Sequence, residues 1–308
     1  MRRMVDLRFG VSLAGWSDGP ALLAAAKTAE RTGFDTVTVA DHLGHTAPFA
    51  VLAAAAAVTS RVRLRTYVLD AFFWNPALLA REAATLDLLS GGRAELGLGA
   101  GHMRTEHEDA GLPWLPLAER VERLERTLTE VRGRLADPDH QPAPVQRPVP
   151  VLVGAMSAAG LAVAARHADV VGFAGLRQVR GAPPGSFTMS TAAQTRDRVA
   201  EVRRQAGGRA YRSDVLLQAV VVDEDPTDAA ARIAASAPGL TPEQLLDSPF
   251  VLLARDPEEA AEELRHRRQA YGFDSITTHQ PHLEALGRVI SAYRAVGVDR
   301  AVGNATEV

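Results

Sequence analysis

Short β-branched runs alternate along this chain with longer stretches of helical period, a pattern that predicts parallel strands joined by crossover helices. Eight such units follow one another, with strands expected over residues 7–13, 36–40, 62–69, 94–98, 149–153, 170–173, 215–222 and 274–278. The helices between them carry their own signals. Val121, Leu124, Leu128, Val131 and Leu135 recur at steps of three and four with Glu and Arg between, giving one apolar face to lie on a sheet. Asp256, Pro257, Glu258 and Glu259 supply an N-cap, a first-turn proline and acidic residues that complement the helix dipole. The alanine-rich run 48–59 is well short of the ~20 residues that cross a bilayer, and reads as a buried helix.

Eight units in series suit a closed barrel better than an open doubly wound sheet. The expected fold is α/β, a single (β/α)8 TIM barrel over residues 1–308. Two segments exceed a minimal barrel. One is 99–116 after strand four, and the other is the Gly- and Pro-rich, insertion-like loop 174–190 after strand six. Both follow strand C-terminal ends, where barrels build active sites, although the second also reads as a surface excursion.

Composition then narrows the chemistry. With 46% apolar residues the chain can bury a large core, and with no cysteine it has no disulfide, thiol nucleophile or thiolate metal site. Lys and Arg total 34 against 37 Asp and Glu, interspersed to a net charge of −3, so nucleic acid is not an expected partner. The N-terminal stretch lacks an apolar run of signal-peptide length, so the expected location is cytoplasmic and no membrane is expected. The sole lysine, Lys27, falls in the first helix, which argues against Schiff-base chemistry.

Candidate chemistry gathers at strand ends. After strand five, Gly154, Ala155, Met156 and Ser157 lead into a small-residue helix whose free N–H groups would cradle a phosphate; an ordinary turn and N-cap explain the same residues. After strand two, Asp41 and His42 put an acid–base candidate at the barrel mouth, with Asp41 able to fix the imidazole tautomer or a neighbouring backbone group; a structural role for the pair explains the same residues. His42 and His45 lack a third ligand nearby, so no metal is expected. After strand four, Gly99, Ala100 and Gly101 let backbone approach a flat ligand or simply turn the chain. His102 there is a second acid–base candidate, within a polar group of Glu106, His107 and Glu108 that also suits a solvated loop. After strand three, Phe72, Phe73 and Trp74 concentrate the few aromatics, either as a wall for a ring system or as core.

Together, GFDTVTVADHL (33–43), NPALLAREAATLDLLSGGRAELGLGAG (75–101) and VPVLVGAMS with ARHADVVGF (149–173) resemble the bacterial-luciferase-like flavin and deazaflavin oxidoreductases, most closely the coenzyme F420-dependent branch. The resemblance implies a ring lying at the barrel mouth against strand three, at Thr66, Tyr67 and Val68, with a cis non-proline bond expected between Tyr67 and Val68. It implies cofactor contacts also from Asp41, Gly99, Ala100 and Gly101, and the phosphate at Gly154, Ala155, Met156 and Ser157. His42 matches a histidine near the reacting carbon. His102 stands where some sugar-phosphate dehydrogenases of the family have glutamate and many other members tryptophan, which argues against a sugar-phosphate substrate, and Trp74 and Asn75 stand where a basic residue is usual, which implies a less charged pocket.

The implied activity is F420-dependent hydride transfer to or from a small organic substrate, with His42 or His102 handling the proton. An FMN-dependent monooxygenase is the alternative, and a non-catalytic flavin-binding protein a third reading. The expected partner is a small-molecule substrate, with a homodimer as an option.

Overall fold

The computed structural model describes residues 7–14, 18–179, 181 and 187–303. Eight parallel strands close into one barrel: β1 (Arg8–Leu13), β2 (Thr36–Val39), β3 (Arg63–Thr66), β4 (Ala94–Gly99), β5 (Val151–Ala155), β6 (Val170–Ala174), β7 (Arg212–Leu217) and β8 (Ser275–His279). Each pairs with its neighbours in sequence, β8 returns to β1, and the β3–β4 seam joins Leu64 to Ala94 and Arg65 to Glu95. This is the (β/α)8 barrel that the alternating pattern predicts.

Helices α1 (Gly19–Arg31), α2 (Pro48–Val58), α3 (Pro76–Leu89), α4 (Arg104–Asp109), α5 (Leu117–Ala136), α6 (Ala158–His167), α7 (Ala192–Ala206), α8 (Pro226–Ser236), α9 (Pro242–Asp247), α10 (Pro257–Tyr271) and α11 (Leu283–Gly303) connect the strands. Their starts follow the expected chemistry. Asn75 Oδ1 accepts from the N–H groups of Ala77 and Leu78 at 2.9 and 3.3 Å, and Asp256 Oδ1 from Glu259 N at 2.7 Å, each before a proline. Val121, Leu124, Leu128, Val131 and Leu135 are the buried face of α5, as their spacing requires.

Three expected strands are redrawn. The run 62–69 is interrupted after Thr66 and resumes only at Leu69–Asp70, which pairs with Leu98 and Gly99. The start expected at 149 moves to Val151, since Pro148 and Pro150 have no N–H to give a ladder. The run 215–222 is two strands: β7 begins at Arg212 and stops at Leu217. Gln218 N then bonds Phe250 O at 2.8 Å, and Ala219–Val221 pairs with Val251–Leu253 off the barrel. A continuous apolar run hides such a change of partner. In the insertion after β6, Leu176–Gln178 and Phe187–Met189 form an antiparallel hairpin, while residues 180 and 182–186 lie outside the described residues.

Outward-facing Phe9, Val11, Val37, Val39, Val151 and Val153 are buried beneath the helices. The barrel interior is charged. Arg65, Glu95, Asp214, Ser275 and Thr277 are all buried, come from four strands and bond one another. Burial alone would raise the Glu95 carboxyl, but the charges of Arg65, Arg63 and Arg212 outweigh it and hold it at about 2. Burial likewise opposes the charge on Arg65, and Glu95 and Asp214 more than restore it. Among the described residues, no helix is long and apolar enough to cross a membrane.

Candidate active site

The interruption of β3 builds a floor at the C-terminal mouth of the barrel. The Tyr67–Val68 peptide is cis, at the position expected. Glycines on the neighbouring strands make room for it. A Cβ on Gly97 would fall 1.9 Å from Thr66 O, one on Gly99 2.8 Å from Val68 Cγ2, and one on Gly154 3.0 Å from Val68 Cγ1. On β6, a Cβ on Gly172 would come within 3.2 Å of Tyr67 Cε2. Tyr67 and Val68 themselves remain half-buried, so each keeps a surface for contact. Burial and the charge of Asp214 push the Tyr67 phenol well above its ordinary value. Thr66 is different: its fully buried hydroxyl donates to Gly97 O at 3.0 Å and accepts from Gly97 N at 2.8 Å, so its side chain closes the β3–β4 seam.

The two candidate histidines meet. The rings of His42 and His102 lie edge to face with centroids 5.4 Å apart, and His45 packs against His42 at the same distance. His42 Nδ1 lies 2.8 Å from Glu106 Oε1 on α4. An ionised carboxylate only accepts, so Nδ1 carries the proton and Nε2 is the basic nitrogen. Of the two roles expected for Asp41, fixing the imidazole tautomer falls to Glu106, while a bond to backbone, at Asp70, remains. Asp41 Oδ2 also accepts from Trp74 Nε1 at 2.8 Å, and burial, reinforced by the nearby charge of Asp70, raises its carboxyl. His102 is exposed at the mouth, yet lost hydration and the adjacent His42 hold it below the usual histidine value.

The solvated-loop reading of the group after β4 fails for His107. It is fully buried, with Nε2 2.8 Å from Asp70 Oδ2 and Nδ1 3.3 Å from Pro113 O. Phe72, Phe73 and Trp114 surround it at centroid distances of 5.3, 5.2 and 4.9 Å, so much of the aromatic cluster wraps a histidine. Asp70 fills the space beside Gly101, whose φ of 71° and absent Cβ allow that approach. Arg120, stacked 3.8 Å from the Trp114 ring, donates to Ala100 O at 3.0 Å and to Gly101 O, clamping the loop. Glu108 pairs with Arg104 on the surface.

Between β5 and α6, Ser157 is the N-cap and accepts from Gly160 N at 3.1 Å. The N–H groups of Ala158 and Ala159 have no intrahelical acceptor, as at any helix start, and the helix dipole adds positive potential there. Gly160, not singled out from the sequence, lets the helix approach Ala155: a Cβ would sit 3.0 Å from that residue's own. Ala155, Met156 and Ser157 are half-buried around this turn. Gly154 does not face the turn. Its missing Cβ accommodates Val68, so a larger residue would disturb the floor before it met a phosphate.

Sequence reasoning did not assign roles to Glu106, Asp214, His279 or His282. Glu106 had a visible signal, a carboxylate on the loop that carries His102. Asp214 had none, because a lone Asp between Ser213 and Val215 in an apolar strand says nothing of its four donors. His279 ends β8 and His282 follows it in the next turn, and burial lowers both, aided at His279 by His282. Among the described residues, no three His, Cys, Asp or Glu side chains are arranged to hold a metal ion.

A family model described as luciferase-like monooxygenase matches residues 9–303. An F420-dependent glucose-6-phosphate dehydrogenase of Kribbella flavida is 37% identical over 139 residues, spanning 42% of this chain and 41% of that protein. The match thus spans about two fifths of the relative's length. The coenzyme F420-dependent tetrahydromethanopterin reductase of Methanopyrus kandleri superposes with a TM-score of 0.71 at 19% identity, covering 94% of this chain and 100% of that one. A long-chain alkane monooxygenase superposes at 0.75 and 14% identity, covering 96% and 92%. At those identities the two structures speak for the fold alone.

Proposed function

The chain belongs to the luciferase-like monooxygenase family, and on that premise we propose that it is an oxidoreductase using coenzyme F420 to move a hydride to or from a small organic substrate. The observation that carries the reading is the 2.8 Å contact between His42 Nδ1 and Glu106, which leaves Nε2 as a base at the barrel mouth. Relatives named for F420-dependent dehydrogenation support the choice of cofactor.

The residues present suit a flat ring with a phosphate tail. Tyr67 and Val68 offer a half-open floor, and the start of α6 offers Ser157 and two unpaired N–H groups to an anion. When bound, the deazaflavin supplies the carbon that accepts or releases the hydride. His42 Nε2 takes the proton that a substrate hydroxyl loses and returns it in the opposite direction, while Glu106 holds the imidazole in that tautomer. His102, neighbouring and held toward its neutral form, is placed to share the proton or to bond the same substrate oxygen. Arg120 and the buried His107 keep the β4 loop closed against the wall.

A panel of secondary alcohols and of carbonyl compounds, assayed with F420-loaded protein by the cofactor's absorbance change, tests the reading. Turnover of one member that is lost in His42→Ala, with cofactor affinity kept within a few fold, is the expected result. The family description favours a second reading, FMN-dependent oxygenation. Oxygen uptake by FMN-loaded protein with no F420-linked turnover would select it.

A further inference from the structure

Asp214 is a buried group that the proton and phosphate roles leave unused. It sits fully buried on β7 and accepts from Arg65 Nη1 at 3.1 Å, Tyr67 Oη at 2.9 Å, Thr277 Oγ1 at 2.9 Å and Ser275 Oγ. Of these four donors, Tyr67 alone belongs to the floor of the mouth. Its backbone leaves β3, its ring lies against Gly172 on β6, and its hydroxyl ends on β7. The side chain therefore crosses the barrel from one wall to the other, between the mouth and the charged interior.

A tyrosine ring pivots about two torsions, and χ2 is the broad one. Oη lies on the χ2 axis, so a bond there leaves χ2 to the ring's contact with Gly172 and restrains χ1, which sets where the ring lies across the barrel. The acceptor is itself immobile, since Arg65, Ser275 and Thr277 hold it from β3 and β8. Nothing else among the described residues bonds the phenol.

We propose that Asp214 is a positioning residue for the cofactor seat: by holding Tyr67 Oη from inside the barrel, it fixes the position of the ring on which a flat cofactor rests. The proposal rests on the reading that a flavin-type ring lies on this floor. It extends that reading to a residue that touches neither substrate nor cofactor.

The test separates this role from general support of the fold. Tyr67→Phe keeps the ring and removes the hydroxyl; Ser275→Ala removes a different donor from the same carboxylate and leaves Tyr67 bonded. Full-length variants are titrated with coenzyme F420, and with FMN in parallel, while the bound cofactor's absorption spectrum is followed. Tyr67→Phe and Asp214→Asn should each raise Kd about fivefold or more and shift the bound spectrum alike, with the double variant adding less than about twofold. Ser275→Ala should keep Kd within about twofold and leave the spectrum unchanged. Should Asp214→Asn fail to fold, the Tyr67→Phe and Ser275→Ala pair decides alone. Wild-type Kd and spectrum in Tyr67→Phe overturn the proposal, as do equal losses in Tyr67→Phe and Ser275→Ala. Binding of neither cofactor to the wild type overturns the functional reading, and this inference with it.

Discussion

Glu106 Oε1 lies 2.8 Å from His42 Nδ1, a contact that joins α4 to the end of β2 across 64 residues of sequence. It decides which imidazole nitrogen is basic. It also gives the short helix α4 two tasks at once, because His107, the next residue, anchors it to Asp70 beside the cis bulge.

Removing the carboxylate should therefore disable the base without emptying the site. Glu106→Ala is expected to lower kcat about tenfold to a hundredfold, with cofactor Kd unchanged within about threefold, and Glu106→Gln, which still offers an acceptor to Nδ1, should recover part of it. Steady-state kinetics alongside a binding titration read the two effects separately. A kcat for Glu106→Ala equal to wild type would move the proton chemistry to His102.

The floor predicts a steric coupling. Gly154→Ala places a methyl 3.0 Å from Val68 Cγ1 and should destabilise the fold by about 1–3 kcal/mol in denaturant titrations. Val68→Ala in the same chain opens that space and should recover much of the loss, giving a coupling energy of opposite sign to the single effect. Additive losses would mean that the two residues do not share the space.

Inside the barrel, Glu95 neutralises an excess of arginine. Its carboxyl titrates near 2 when folded against an ordinary 4.5, so its contribution is complete above about pH 4.5 and is lost as pH falls toward 2. Glu95→Gln leaves Arg65 buried without that charge and should cost about 3–5 kcal/mol at neutral pH. The variant should also show a shallower loss of stability between those two pH values. Urea titrations at a series of pH values measure both.

Acid should weaken the mouth earlier. His102, His279 and His282 are all held below the ordinary 6.5, so below that pH the unfolded chain binds more protons than the folded one. Stability should fall as pH drops below the ordinary 6.5, and His279→Gln should flatten that slope in a series of thermal midpoints. An unchanged slope in His279→Gln would show that its imidazole is as well hydrated in the fold as outside it.

The barrel was legible in the sequence because its outward strand faces and the buried stripe of α5 obey simple periods. Two of the three redrawn strands misread because their apolar run continues through a change of partner, as at Gln218, or through a bulge, as at Tyr67; the third starts late because Pro148 and Pro150 carry no N–H. At the site, residues next to a strand end such as His42 could be located from sequence. Their partners could not, since Glu106 reaches His42 only because the β4 loop folds back over the mouth. Asp41 misled for the same reason: adjacency in sequence suggested a partner for His42, while its carboxylate turned to Trp74. Gly154 was noticed for its place in a turn, yet the space it leaves belongs to Val68.

The central claim is the identity of the cofactor on the Tyr67–Val68 floor, and an equilibrium titration of purified apoprotein with coenzyme F420 and with FMN tests it most directly. The account predicts that F420 binds at least about tenfold more tightly than FMN, a difference of about 1.4 kcal/mol. Tight binding of FMN with no detectable binding of F420 would contradict it.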